Sequence, residues 1–239
     1  WSELPKATAL QMLYHWALVS AARLADRMHD VATSTRCHAV ADTLRNRLAD
    51  TAFDDDAGLF YAIPGRPDSG FFRHPNFLAV LAEIAPDDLS THIADELATR
   101  GMPPVGTPYM AALECLALHR GGRSADAIAE IRRIWGGMLK REATTFFEAY
   151  REGETEAETL AFYGRPYGRS LCHAWSSAPV ALLPMIAFGC EPAADGWASH
   201  NAAKISVLGE ACATIPAGDK TLILESRSGQ VNCAQSDFR

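Results

Sequence analysis

The sequence predicts a mainly α chain of helical hairpins followed by a short antiparallel β segment. Three observations carry this. Apolar residues recur at three- and four-residue steps through most of the first 190 positions, which is the period of a helix with one buried face. These stretches come in pairs joined by short turns. After Gly189 the pattern changes to apolar–polar alternation in two short segments, the signature of a half-buried strand. Stacked antiparallel helix pairs form either an open solenoid or a closed ring. No sequence repeat stands out and the tetratricopeptide and ankyrin signatures are absent, so a closed helical barrel is expected.

The elements follow in order. Leu10, Leu13, Ala17, Ala21, Leu24 and Met28 form one apolar stripe on a first helix, with Pro5 suited to its first turn. A second helix runs from about Ala32 to Thr51, with Val40, Leu44 and Leu48 on one face. The run Asp54-Asp55-Asp56-Ala57-Gly58 breaks it, Gly58 being free to take a positive φ. Leu59 to Ile63 reads as extended, and Pro64-Gly65 closes it. Helices are expected from Asn76 to Ile84, from Pro86 to Gly101, from Thr107 to His119, and from a Ser124 cap to Lys140. Glu142 to Tyr167 has no period and reads as a long loop, of the kind that carries function in a compact domain. A seventh helix is expected over Ser170 to Phe188. Ala203 to Val207 and Thr221 to Glu225 read as strands, Pro216-Ala217-Gly218 as a turn, and Gln230 to Arg239 as a polar tail. The division that follows is a helical part over residues 1–192 and the beginning of a β domain over 193–239.

Composition narrows the function. The chain is 48% hydrophobic and 21% charged, as an ordinary globular protein is and a disordered chain is not. Its net charge is −7, with no Lys/Arg cluster, so a nucleic-acid partner is not expected, because counterion release needs a basic footprint. The longest apolar run, Ala178 to Cys190, is shorter than the roughly 20 residues of a membrane span, so no membrane partner is expected. There is no GxGxxG after a strand and no P-loop, and hence no expected cofactor. The six cysteines are widely spaced, without a CxxC pair. They predict no zinc site and read as mostly buried thiols, with Cys212 and Cys233 able to pair in an oxidising compartment. No Asp-rich loop has calcium-binding spacing. The chain opens on Trp1 rather than Met and without a targeting segment, which suggests a processed chain or a piece of a longer one.

The residues able to carry chemistry cluster in the second half. Ala143-Thr144-Thr145-Phe146-Phe147-Glu148-Ala149-Tyr150 is followed by Tyr163-Gly164-Arg165-Pro166-Tyr167-Gly168 and by Ser170-Leu171-Cys172-His173-Ala174-Trp175-Ser176. A carboxylate among aromatics suits a sugar: aromatic faces stack on sugar C–H surfaces, and a carboxylate in a partly dry pocket can take a proton from water. Taken singly, Glu148 reads as a loop acid and His173 as a packing residue. Cys172 beside His173 is a poor nucleophile–base pair, because neighbours on a helix point about 100° apart. Arg73-His74-Pro75-Asn76 and Gly106-Thr107-Pro108-Tyr109 open two helices, where Asn76 and Thr107 read equally well as caps and as rim groups.

Together the strings Trp135-Gly136-Gly137-Met138-Leu139, Ala143-Thr144-Thr145-Phe146-Phe147-Glu148, Gly164-Arg165-Pro166-Tyr167-Gly168 and Ser170-Leu171-Cys172-His173-Ala174-Trp175 resemble the C-terminal half of bacterial α-L-rhamnosidases, glycoside hydrolase family 78. The resemblance extends over about residues 1–225. It implies part of an (α/α)6 barrel of the six-hairpin glycosidase type and the start of a C-terminal β-sandwich. It also implies inverting hydrolysis of terminal α-L-rhamnosides, a carbohydrate as partner, and a bacterial cytoplasmic or periplasmic setting. Glu148 is then the general base, His173 contacts the sugar, Trp175 lines the pocket, and Tyr109 and His74 are further substrate-binding candidates.

Two positions depart from the family's pattern. Glu142 stands where the family often has Gly, and Phe147 where it often has Trp; a Phe loses the indole N–H, and a Glu adds charge near the base. The family's general acid lies upstream of the segment that Trp1 opens. Only about seven helices are expected, against about twelve for six hairpins. The expectation is therefore a fragment that carries the base and lacks the acid. Two alternatives stand beside it. One is another six-hairpin enzyme, a glucosidase or an unsaturated uronyl hydrolase, for which Arg73, Arg165 and Arg169 are the candidate cations. The other is a non-catalytic sugar-binding or helical scaffold.

Overall fold

A computed structural model describes residues 7–162, 164–193, 196–201 and 206–237. The chain is mainly α, with eight α-helices and a three-stranded antiparallel sheet among the described residues. It divides into two compact units, Trp1–Gly106 with Leu116–Arg123, and Thr107–Cys115 with Ser124–Arg239.

The first unit begins with α1 (Thr8–Arg27) and α2 (Val31–Ala52), which form a hairpin. The Asp30 side chain caps α2, accepting from the Thr33 amide at 3.0 Å. The buried face of α1 is Thr8, Met12, His15, Ala22 and Ala25. The predicted stripe is therefore rotated out: Leu10, Leu24 and Met28 are exposed, and Leu13 is half-buried. The α2 face is Ser34, Ala41, Leu48 and Ala52, with Val40 exposed. Alanine supplies four of these nine buried positions, and a small side chain lets two helix backbones approach closely.

The break after α2 is as the sequence predicts. Asp54 Oδ1 accepts the Ala57 amide at 2.7 Å, and Gly58 takes φ +63°. This turn joins β1 (Phe53–Asp54) to β2 (Leu59–Phe60) in a short antiparallel pair. Next, α3 (Arg73–Leu81) is buried continuously from Pro75 to Leu81. Asn76 is not a cap but an interior residue of α3. Its Oδ1 accepts the Phe60 amide at 2.9 Å, and its Nδ2 donates to the Phe60 and Phe72 carbonyls at 3.2 and 2.8 Å. The side chain thus satisfies the free edge of β2, which is why an amide can sit fully buried there. His74, on the first turn of α3, lies 5.6 Å from the Phe77 ring, and burial lowers its pKa. Helix α4 (Asp87–Thr99) follows Pro86, as expected.

Helix α5 (Pro108–Arg120) begins in the second unit, with Thr107 Oγ1 facing the Met110 amide at 3.5 Å. Helix α6 (Ser124–Lys140) buries Ala127, Ile128, Ile131, Ile134, Trp135, Gly137 and Met138. The expected long loop contains a short helix, α7 (Glu156–Leu160), closed by a Thr155–Glu158 capping box. The expected seventh helix is shorter than predicted. Ser170 to Ser177 is irregular, with one 3₁₀ turn at Ala174–Ser176, and α8 spans only Pro179–Phe188. The backbone groups of residues 170–173 pair with the loop before them instead of with a helical turn.

Beyond α8, β3 (Glu191–Ala193) pairs with β4 (Gly196–Asn201). Strands β5 (Glu210–Ala217), β6 (Lys220–Arg227) and β7 (Gln230–Asp237) form an antiparallel meander in that order. Leu222 and Leu224 of β6 pack with Ala187, Phe188 and Cys190 at the end of α8. The Thr221 to Glu225 strand is as expected, but of the expected turn Pro216-Ala217-Gly218 only Gly218 turns, with φ +67°, because Pro216 and Ala217 pair with Thr221 and Lys220 in the ladder. Nor is the polar tail as expected: it forms β7, whose ladder with β6 its side-chain polarity conceals. Of the expected strand Ala203 to Val207, residues 203–205 lie outside the described residues, and Ser206 and Val207 are not strand. No disulfide joins any of the six cysteines, and Cys172, Cys212 and Cys233 are exposed, so the expectation of mostly buried thiols fails. Cys212 on β5 and Cys233 on β7 have β6 between them. That is about 9–10 Å across two strand spacings, too far for a disulfide.

Candidate functional site

The site of the second unit is built on α6. Two segments after it, 145–148 and 170–173, run antiparallel to each other. The His173 amide donates to the Phe146 carbonyl at 2.8 Å, and the Glu148 amide donates to the Ser170 carbonyl at 2.8 Å. Thr145 Oγ1 donates to the Leu171 carbonyl. Alternation then sorts the side chains: Phe147 and Ala149 are buried, while Phe146 and Glu148 are half-buried between them. Phe147 therefore serves the interior.

Helix α6 holds both segments. Trp135 Nε1 donates to the Ser176 carbonyl at 2.7 Å and anchors the 3₁₀ turn. A Cβ on Gly137 would lie 2.1 Å from the Tyr150 hydroxyl, so the Tyr150 ring passes where only glycine leaves room. This accounts for Trp135 and Gly137 of the Trp-Gly-Gly string, whereas a Cβ on Gly136 would meet nothing within 4 Å. Glu142 ends α6 with φ +58° and is exposed. This is a left-handed position where glycine is unstrained.

Glu148 sits at the centre. Its Oε2 accepts the Ser170 amide at 2.9 Å, and its own carbonyl accepts Trp175 Nε1 at 3.3 Å. Its Oε1 has no hydrogen-bond partner among the described residues. Trp175 continues into an aromatic row, with His173 at 4.4 Å between ring centroids and Tyr109, on the first turn of α5, at 5.9 Å and nearly parallel. Tyr109 and Trp175 are exposed at 44% and 39%, so each ring keeps part of its surface open to solvent. Four of the five sequence-predicted site residues, Glu148, His173, Trp175 and Tyr109, thus belong to one constellation. His74 belongs to the first unit, on α3. Cys172 and His173 lie on an extended stretch, not on a helix; Cys172 is exposed and His173 half-buried.

Sequence reasoning missed the frame around this carboxylate. Its members are the Ser170 amide, the Trp135 anchor and a buried ion pair between Arg169 and Glu154, whose side chains are 6% and 5% exposed. No periodicity marks groups that meet across 15 to 41 residues. An apolar groove of about 420 Å³ borders the same loop, lined by Ile128, Ile131, Trp135, Phe146, Pro179 and Leu183 among others. Among the described residues no three His, Cys, Asp or Glu side chains gather as metal ligands, and no helix is long and apolar enough to cross a membrane.

No protein-family model and no curated protein matches the sequence. Solved structures do. A rhamnosidase from Klebsiella oxytoca with rhamnose bound is similar at 25% identity and TM-score 0.64, over 74% of this chain and 33% of that one. A glycoside hydrolase family 78 rhamnosidase of Bacillus sp. GL1 is similar at 23% identity and TM-score 0.74, over 92% of this chain and 23% of that one. The chain therefore resembles rhamnosidases of this family in fold, and it spans a third or less of the length of these two structures.

Proposed function

We propose that this chain carries the general base and part of the sugar pocket of an inverting glycoside hydrolase acting on terminal α-L-rhamnosides. The observation that carries the reading is the Glu148 carboxylate. One oxygen is pinned to the Ser170 amide and the other is unpartnered, beside the row His173, Trp175 and Tyr109. A fixed carboxylate with one free oxygen is the geometry a general base needs. Oε1 takes a proton from water as that water attacks the anomeric carbon on the face opposite the leaving oxygen. The exposed ring faces stack on the C–H surface of the sugar, and the His173 imidazole meets a hydroxyl. The similarity to two rhamnosidases supports the choice of sugar.

Inversion requires a second carboxyl group roughly 6.5–9.5 Å from the base, to leave room for the water. We place that acid outside this stretch, since the chain spans 33% and 23% of its two structural relatives. A uronate substrate finds fewer cations than the three candidates offer: Arg169 is already engaged by Glu154, and Arg73 Nε by the Met102 carbonyl.

The test is turnover of a nitrophenyl α-L-rhamnoside by the full-length protein and its Glu148→Gln variant, which keeps the bond to Ser170 but cannot take a proton. The expected loss in kcat is about 10²–10⁴-fold with little change in KM, and NMR should show the inverted anomer as first product. The 239 residues alone should show no turnover. Full activity in Glu148→Gln would end the proposal.

A further inference from the structure

We propose that Glu154 and Arg169 are positioning residues for the Glu148 carboxylate, a role that rests on the reading of Glu148 as general base. The two side chains form a fork-on-fork pair: Arg169 Nη1 lies 2.7 Å from Glu154 Oε2, and Nη2 lies 2.9 Å from Oε1. Both side chains are almost fully buried. An ion pair removed from water is costly to form unless its geometry is good, so its place in the fold needs a reason.

Its connections supply one. Arg169 is the residue before Ser170, whose amide holds Glu148 Oε2. The guanidinium also stands 5.7 Å over the Phe162 ring, and the Arg169 amide donates to the Leu160 carbonyl at 3.0 Å. On the other side, Arg141 at the end of α6 donates to the Glu154 carbonyl at 2.5 Å and to Thr159 Oγ1. The pair thus couples α6 and the capped α7 segment to the one amide that orients the reacting carboxylate. A bidentate fork fixes direction as well as distance, which a lysine at the same place would not do. Arg169 Nε is buried without a hydrogen-bond partner, so the binding of this guanidinium is concentrated in the two bonds to Glu154.

Arg169→Lys and Glu154→Gln, each made in the full-length protein, test the role. Each should lower kcat about 10- to 100-fold, the effect of a displacement of about 1 Å at the reacting group, with KM changed less than about twofold. Arg169→Lys keeps a cation beside Glu154 and serves if Glu154→Gln fails to fold. The decisive readout is the combination with Glu148→Gln. A residue that acts through Glu148 has nothing further to remove once the base is gone, so the double variant should equal Glu148→Gln alone. Losses that multiply in the double variant, or an unchanged kcat in Arg169→Lys, would overturn the inference and leave the assignment of Glu148 intact. An active Glu148→Gln would instead remove the assignment on which it rests.

Discussion

Two antiparallel pairings in the second unit are held together in different ways. In β5–β6–β7 the backbone ladder runs unbroken over eight residues per strand, and alternation buries Leu222 and Leu224 while their neighbours face outward. In the pairing of 145–148 with 170–173 the backbone makes only part of the contact. A threonine hydroxyl, a glutamate carboxylate and a tryptophan indole make the rest. A regular ladder is stabilised by burial and tolerates polar change on its outer face. A pairing completed by side chains depends on each of them, and in return holds a carboxylate at a fixed place with one oxygen free.

This contrast can be broken at several points, the largest effect coming from the sheet. Leu224→Ala empties a fully buried position among Phe188, Cys190 and Leu222 and should cost about 2–5 kcal/mol in chemical denaturation. The activity of the protein that remains folded should be unchanged. Trp135→Phe removes the indole N–H from the Ser176 carbonyl and should cost about 1–3 kcal/mol, chiefly for leaving a buried acceptor unpaired. Here the stability loss should be accompanied by a lower kcat, because the 3₁₀ turn carries Trp175. A Trp135→Phe variant with normal kcat would show that the two segments hold their geometry without the α6 anchor. The smallest expected effect has the opposite sign. Glu142→Gly relieves a side chain at φ +58° on an exposed helix end and should raise stability by about 0.5–1 kcal/mol, with no effect on kcat. A loss of stability there would mean that the Glu142 side chain makes a compensating contact.

The site was partly legible before the fold. Glu148, His173, Trp175 and Tyr109 were marked by residue type and by motif, and they meet. Their frame was not legible. Ser170 acts through its backbone amide, which every residue but proline has, and Arg169 looked like a free cation until Glu154 was found against it. The helix expected over Ser170 to Phe188 forms only from Pro179 onward for the same reason. Residues 170–173 have partners in the loop 22 to 27 residues earlier, and those outcompete the local helical turn.

Local chemistry alone determined the helical hairpins, the breaks at Gly58 and after Lys140, and the change to alternation past Gly189. These depend on period, capping and backbone freedom, all of which act within a few residues. Tertiary structure alone decided which face of α1 is buried, that Asn76 closes a strand edge and does not cap a helix, that the polar C-terminal stretch is a strand, and which groups fix the carboxylate. Each of these turns on a partner distant in sequence, and the free energy of such a contact exists only once packing has brought the two together.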